Sequence, residues 1–375
     1  MSGYVRETEA PELPAPAFVK GPVHWIRENL FPNWWNSILT LVSLYIGYLL
    51  FSSVIDFALI SAVFTGDSGK SCIRESGGHM GACWPFIWAK FDQFIYGRYP
   101  LAERWRVDVV YLVGMAALIP ALMPALPFKK WNVLFLLIVY PVMTFFLLVG
   151  GSFGLEPVET SLWGGLLVTL VVAVTGIVAS LPIGIILALG RRSSMPTARF
   201  VSIIFIEFWR GVPLITVLFM SSVMFPLLLP EGVNFDKLLR ALVGVALFSA
   251  AYMAEVVRGG LQAIPRGQYE GAQALGLSYW KMMGLIVLPQ ALKLVIPGIV
   301  NTFIGLFKDT TLVMIIGLFD LLGIVQLNFT DPKWISPVTS HTGYLFAAAI
   351  FWIFCFSMSR YSIYMENRLH TGHKR

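Results

Sequence analysis

The stretch RGQYEGAQALGLSYWKMMGLIVLPQALK, residues 266–293, interrupts a chain that is otherwise strongly apolar. Pro265 ahead of it suits a helix start, and from Arg266 to Leu275 only glycine disfavours a helix. Gly276 fits the left-handed position after a helix end, Ser278 is placed to cap a second helix, and Pro289 to stop or kink it. The spacing therefore predicts two short helices joined at Gly276. Tyr269, Ala272 and Leu275 recur at three-residue intervals and give the first helix a small apolar face beside Arg266 and Glu270. A surface helix this short is marginal in water and needs something to pack against. That partner is either a neighbouring loop of the same chain or a separate molecule.

The surrounding composition sets where the stretch lies. The chain has 375 residues, 57% hydrophobic and 13% charged, with a mean hydropathy of +0.73. Soluble domains carry about twice that charge fraction. Apolar runs of about 20 residues recur, which defines an all-α polytopic membrane protein and excludes the alternating strands of a membrane barrel. Eight spans are predicted, at about 37–62, 107–127, 131–151, 163–190, 198–227, 239–259, 291–314 and 343–364. With both termini in the cytoplasm, sixteen Lys and Arg fall inside against nine outside, six of the nine in the long loop 65–106. The positive-inside rule favours this orientation. Residues 260–290 then form a cytoplasmic loop, and a loop that long is expected to be folded and functional.

Several chemistries are excluded. GDSGKSC, residues 66–72, imitates the end of a phosphate-binding loop, but the glycine required five residues before Gly69 is Phe64 and no buried strand precedes it. The five histidines are scattered without metal-ligand spacing, and no hydrolytic triad can be assembled. The chain is therefore expected to be no enzyme, to hold no cofactor or metal, and to bind no nucleic acid, since its net charge of +6 sits where membrane topology puts it. Cys355 lies in the last apolar run, whereas Cys72 and Cys83 share the external loop, where they stand either as a disulfide or as two thiols.

The order Glu270, Ala272, Gly276, Ile286, Leu288, Pro289 resembles the EAA signature of binding-protein-dependent ABC importer permeases: E-A-A, three residues, G, nine residues, I-x-L-P. Every spacing agrees, and the one departure is Gly271 where the signature has alanine. FIEFWRGVPLITVLF (205–219) and NTFIGLFKDTTLVMIIGL (301–318) look like the corresponding segments of the polar amino-acid branch, the histidine and glutamine type. The likeness covers about 160–370, and the segment before it resembles the M-type permease subunit of general L-amino-acid importers. It implies a cytoplasmic tail (1–36), an extension with three spans and an external loop (37–155), and a five-helix type I permease core (156–375).

The resemblance further implies a multi-pass subunit of the bacterial inner membrane. Its partners would be a homologous second permease chain, a cytoplasmic ATPase dimer that binds the ATP and Mg, and a periplasmic solute-binding protein delivering an amino acid. The first short helix would be the coupling helix, with Arg266, Glu270, Gly271, Ala272 and Gly276 at the ATPase contact. A stand-alone ion-coupled transporter or channel is the alternative; it predicts inverted repeats and paired broken helices, which the sequence does not display.

Ionisable residues inside spans are costly and rare, which draws attention to Arg210, Lys308 and Asp309. Arg210 falls about midway along its predicted span and either pairs with Glu207 one turn earlier or offers its planar fork to a substrate carboxylate. Asp309, with Thr310 and Thr311, suits the ammonium of the same amino acid. Glu255 and Arg258 read as a helix-end pair.

Overall fold

A computed structural model describes residues 21–73, 80–123, 126, 128–230, 232–233 and 235–369. Most of the N-terminal tail with Arg6 and Lys20, His79, and the terminal His370, His373, Lys374 and Arg375 lie outside the described residues.

Among the described residues, seven continuous helices are long and apolar enough to cross a membrane: Trp34–Ile60, Leu101–Leu122, Lys129–Val149, Leu166–Arg191, Lys237–Ala263, Ile296–Ile316 and Thr339–Leu369. The span expected over 198–227 is a pair of helices, Pro196–Gly211 and Leu214–Leu227, bent by 103°, and brings the number to the eight expected when the pair is counted as one. Val212, immediately before Pro213, is extended (φ −108°, ψ 134°), as the proline ring demands of the residue ahead of it. Residues 212–213 therefore break the helix within a continuous apolar run.

Helices Leu166–Arg191 and Lys237–Ala263 pack along each other at the centre. Their buried faces carry Ala173, Gly176, Ser180 and Gly184 on one and Ala246, Ser249, Ala250 and Ala254 on the other. Small side chains allow the backbones to approach closely, which is how helices associate where lipid is as apolar as leucine. The first span, Trp34–Ile60, has no buried residue in the isolated chain.

The extension and the core share packing rather than forming separate bodies. Helix Trp84–Tyr96, from the loop that follows the first span, places Phe86, Ile87 and Phe94 against Leu321, Ile324, Val325, Trp334 and Phe346 of the core in one buried cluster. The Cys83 amide donates to Thr342 Oγ1 at 2.9 Å, the Gly69 amide donates to the Lys333 carbonyl at 2.8 Å, and Lys90 pairs with Asp331. Cys72 and Cys83 are bonded to each other in this cluster. Gly165 (φ +64°) starts the first core span, and a Cβ there would lie 2.2 Å from the Phe94 carbonyl oxygen, so only glycine admits this seam.

Asp320 is fully buried at the same end of the bundle and caps helix Leu321–Leu327, accepting from the amides of Leu322 (3.3 Å) and Gly323 (2.9 Å). Burial raises its carboxyl to about 6, partly opposed by those amide donors. Arg106 is also buried there, paired with Glu103 at 2.6 Å and donating to the Glu156 carbonyl at 2.7 Å.

Candidate functional site

At the other end of the bundle, the chain leaves span Lys237–Ala263 through Ile264 and Pro265 and turns into helix Arg266–Ala274. Gly276 closes it at φ +70°. The Leu277 amide donates to the Ala272 carbonyl (3.2 Å) and the Gly276 amide to the Gln273 carbonyl (2.9 Å). These two bonds satisfy helix-end carbonyls as a left-handed glycine terminator does. A second helical segment follows over 279–294, and Ser278 precedes it without a side-chain capping bond.

The short helix is held by one face only. Ala272 is 2% exposed and packs with Leu261, Ile264, Met282 and Val287. The Tyr269 hydroxyl donates to the Leu261 carbonyl (3.1 Å) and accepts from Arg192 Nη1 (3.3 Å), while the Arg192 guanidinium sits 5.7 Å from the Tyr269 ring centroid. Arg266, Glu270, Gly271 and Gly276 are exposed, and a Cβ on Gly271 or Gly276 would meet nothing within 4 Å. Leu275 is 77% exposed and Trp280 72%.

One expectation is corrected here. Leu275 points away from the face formed by Tyr269 and Ala272, because helix termination swings the last residue out. The Ala272 side chain is covered by its own chain.

Behind the helix lies an ion network drawn from three spans. Arg191, the final residue of its helix, reaches Glu207 Oε1 (2.7 Å) and Glu255 Oε1 (3.0 Å). Arg258 clasps both oxygens of Glu255, with contacts of 2.8–3.1 Å. Arg210 Nη1 approaches Glu255 Oε2 at 3.8 Å and lies 5.7 Å from the Tyr252 ring centroid. Glu207 is thus taken by Arg191 rather than by Arg210 on its own helix. Arg210 stands in the last turn of helix Pro196–Gly211, directly before the break at 212–213.

Asp309 is partly buried, and Thr310 and Thr311 donate their hydroxyls to the carbonyls of Phe307 (2.8 Å) and Lys308 (2.9 Å) of the same helix. Among the described residues no hydrogen bond or ion pair joins Arg210 to Asp309. Sequence reasoning missed the role of Glu255 as a hub and the Arg192–Tyr269 contact. The available signal was the cost of a carboxylate within an apolar span, which calls for partners beyond Arg258. Among the described residues no group of three or more His, Cys, Asp or Glu is placed to hold a metal.

The chain belongs to the family of binding-protein-dependent transport system inner membrane components, whose model matches residues 180–371. It is a multi-pass permease subunit of the ABC-transporter class and not an enzyme. It is 54% identical to the inner membrane amino-acid ABC transporter permease protein YhdY of Escherichia coli K12, over 93% of each chain. It is 40% identical to the glutamate/glutamine/aspartate/asparagine transport system permease protein BztC of Rhodobacter capsulatus, over 100% of this chain and 99% of that one. A solved amino-acid ABC transporter with histidines is 28% identical over 54% of this chain and 92% of its own, with a TM-score of 0.47.

Proposed function

We propose that the chain forms, with a second permease subunit, the pathway of an ATP-driven amino-acid importer, and that helix Arg266–Ala274 is where a separate ATPase grips it. The observation that carries this reading is the two-sided character of that helix: Tyr269 and Ala272 bind it to its own chain, while Glu270, Gly271 and Leu275 face outward with nothing over them. A rigid helix fixed between two spans passes a push on its outer face to both, as a body. ATP and Mg belong to the ATPase, and a periplasmic binding protein would deliver the solute to the disulfide-bearing end. Both termini then lie on the ATPase side. The relatives named for amino-acid transport supply the solute class.

Within the pathway, Arg210 is the candidate carboxylate ligand. Glu255 is occupied by Arg258 and Arg191, so Arg210 holds it only at 3.8 Å and keeps donors for an anion. Asp309, with Thr310 and Thr311 beside it, is the candidate for the ammonium. The direct experiment is ATP-driven uptake by the purified, reconstituted transporter. Gly276→Asp is expected to leave the subunit in the membrane and lower ATPase association and uptake together; normal uptake would refute the coupling assignment. Wild-type solute affinity in both Arg210→Ala and Asp309→Ala would refute the substrate ligands.

A further inference from the structure

Beside the ion network the structure opens a cleft of about 360 Å³, lined by Arg191, Arg192, Arg199, Ile203, Arg258 and Gln262. The carboxylates available to it, Glu207 and Glu255, are already engaged by Arg191 and Arg258. Among the described residues the Arg199 guanidinium has no hydrogen-bond or ion-pair partner, and the Arg192 guanidinium has no carboxylate partner and meets the hydroxyl and ring of Tyr269. A second cleft, which shares Arg192 and Gln262 with the first, adds Arg266 and Glu270. Positive charge therefore exceeds negative along the whole recess. That surplus calls for an anion.

The wall that carries Arg199 and Ile203 is helix Pro196–Gly211. One residue further round the same helix, Phe200, Val201, Ile204 and Phe208 form an exposed apolar strip. A basic recess bordered by apolar side chains, at the end of membrane-crossing helices, matches an amphiphile with an anionic head and hydrocarbon tails. A free phosphate has no use for the strip.

We infer that this recess is a binding site for the phosphodiester headgroup of an anionic phospholipid in the leaflet on the short-helix side, its acyl chains lying along Phe200, Ile204 and Phe208. Arg192 belongs both to the recess and to the grip on Tyr269, so an occupied site draws that arginine toward the headgroup and biases the seating of helix Arg266–Ala274. The binding stands apart from the coupling reading; only its consequence for turnover rests on it.

The test is native mass spectrometry of the intact purified transporter, titrated with phosphatidylglycerol or phosphatidylcholine. Wild type should retain phosphatidylglycerol preferentially. Arg199→Gln should lower that retention about fivefold, the worth of one surface arginine at an anionic headgroup, and Arg199→Lys should restore it. Ile204→Ser should weaken retention of both lipids. Equal retention of the two lipids, no effect of Arg199→Gln, or displacement of phosphatidylglycerol by millimolar inorganic phosphate would overturn the assignment. In nanodiscs, ATP hydrolysis should depend on phosphatidylglycerol in wild type and lose that dependence in Arg199→Gln. If the retention pattern holds while hydrolysis ignores the lipid, the site stands and the coupling consequence fails.

Discussion

Arg192 joins the end of one span to the short helix through Tyr269, donating to its hydroxyl at 3.3 Å with the guanidinium 5.7 Å from the ring centroid. The same hydroxyl donates to the Leu261 carbonyl at 3.1 Å, so one side chain ties the short helix to the ends of two spans, Leu166–Arg191 and Lys237–Ala263. Tyr269→Phe removes both hydrogen bonds and keeps the ring. The bond to the Leu261 carbonyl is neutral and contributes about 1 kcal/mol; the one from the cationic Arg192 guanidinium is charge-assisted but long at 3.3 Å and exposed, and adds no more. The expected result is a subunit of nearly normal abundance that hydrolyses ATP with less uptake per ATP, read from paired hydrolysis and transport rates in proteoliposomes. An unchanged ratio would show that the link does not transmit force.

Glu255 is 16% exposed at its side chain and serves three arginines from three helices. Replacing it with Ala leaves Arg191, Arg210 and Arg258 sharing only Glu207 in a partly buried place. Removing the shared carboxylate costs about 2 kcal/mol, less than for a fully buried pair, because the arginine side chains keep contact with water. Thermal unfolding of the purified protein should therefore show a marked loss for Glu255→Ala. Arg258→Lys, which keeps charge but not the bidentate fork, should fall between it and wild type.

Gly271 departs from the alanine of the EAA signature, and a Cβ there would touch nothing in this chain. Gly271→Ala should stabilise the helix by about 0.5–1 kcal/mol through reduced backbone entropy. Ala272→Leu, two atoms' width into a filled cluster, should instead lower the amount of folded protein. If Gly271→Ala folds normally but reduces uptake, the missing methyl is a requirement of whatever docks on that face.

Asp320 links stability to pH. Its folded carboxyl, at about 6, lies above the usual value of roughly 3.9 for an unfolded aspartate, so the folded state binds the proton more tightly. The stability contributed by the protonated form is complete below about pH 4 and is lost as pH rises through 6. Asp320→Asn keeps an acceptor for the Gly323 amide and carries no charge. It should raise stability by ~2–3 kcal/mol at pH 8 and change little at pH 4, measured as the difference between variant and wild-type unfolding at each pH. A difference independent of pH would contradict this account.

The short helix was legible in the sequence because its signals are local. Pro265 and Gly276 fix backbone geometry within a residue or two, and the structure places a helix and a left-handed turn where they require them. The break at 212–213 was harder to read, since a hydropathy run continues across Pro213 whether or not the axis turns. The Glu255 hub was not legible, because its partners arrive from helices 64 residues away in the case of Arg191. Nor could spacing show that Ala272 faces inward: periodicity separates a helix's faces but does not say which one its own chain will cover.

If an ATPase holds the outer face of helix Arg266–Ala274, the double variant Glu270→Lys, Leu275→Asp should release it, and co-purification reads this out. Both side chains are exposed and, among the described residues, neither forms a hydrogen bond or ion pair or joins a buried hydrophobic cluster, so membrane abundance should stay at the wild-type level. The account predicts that the ATPase subunit no longer co-purifies and that ATP-driven uptake falls to background. A stoichiometric ATPase and normal uptake from the double variant would contradict it.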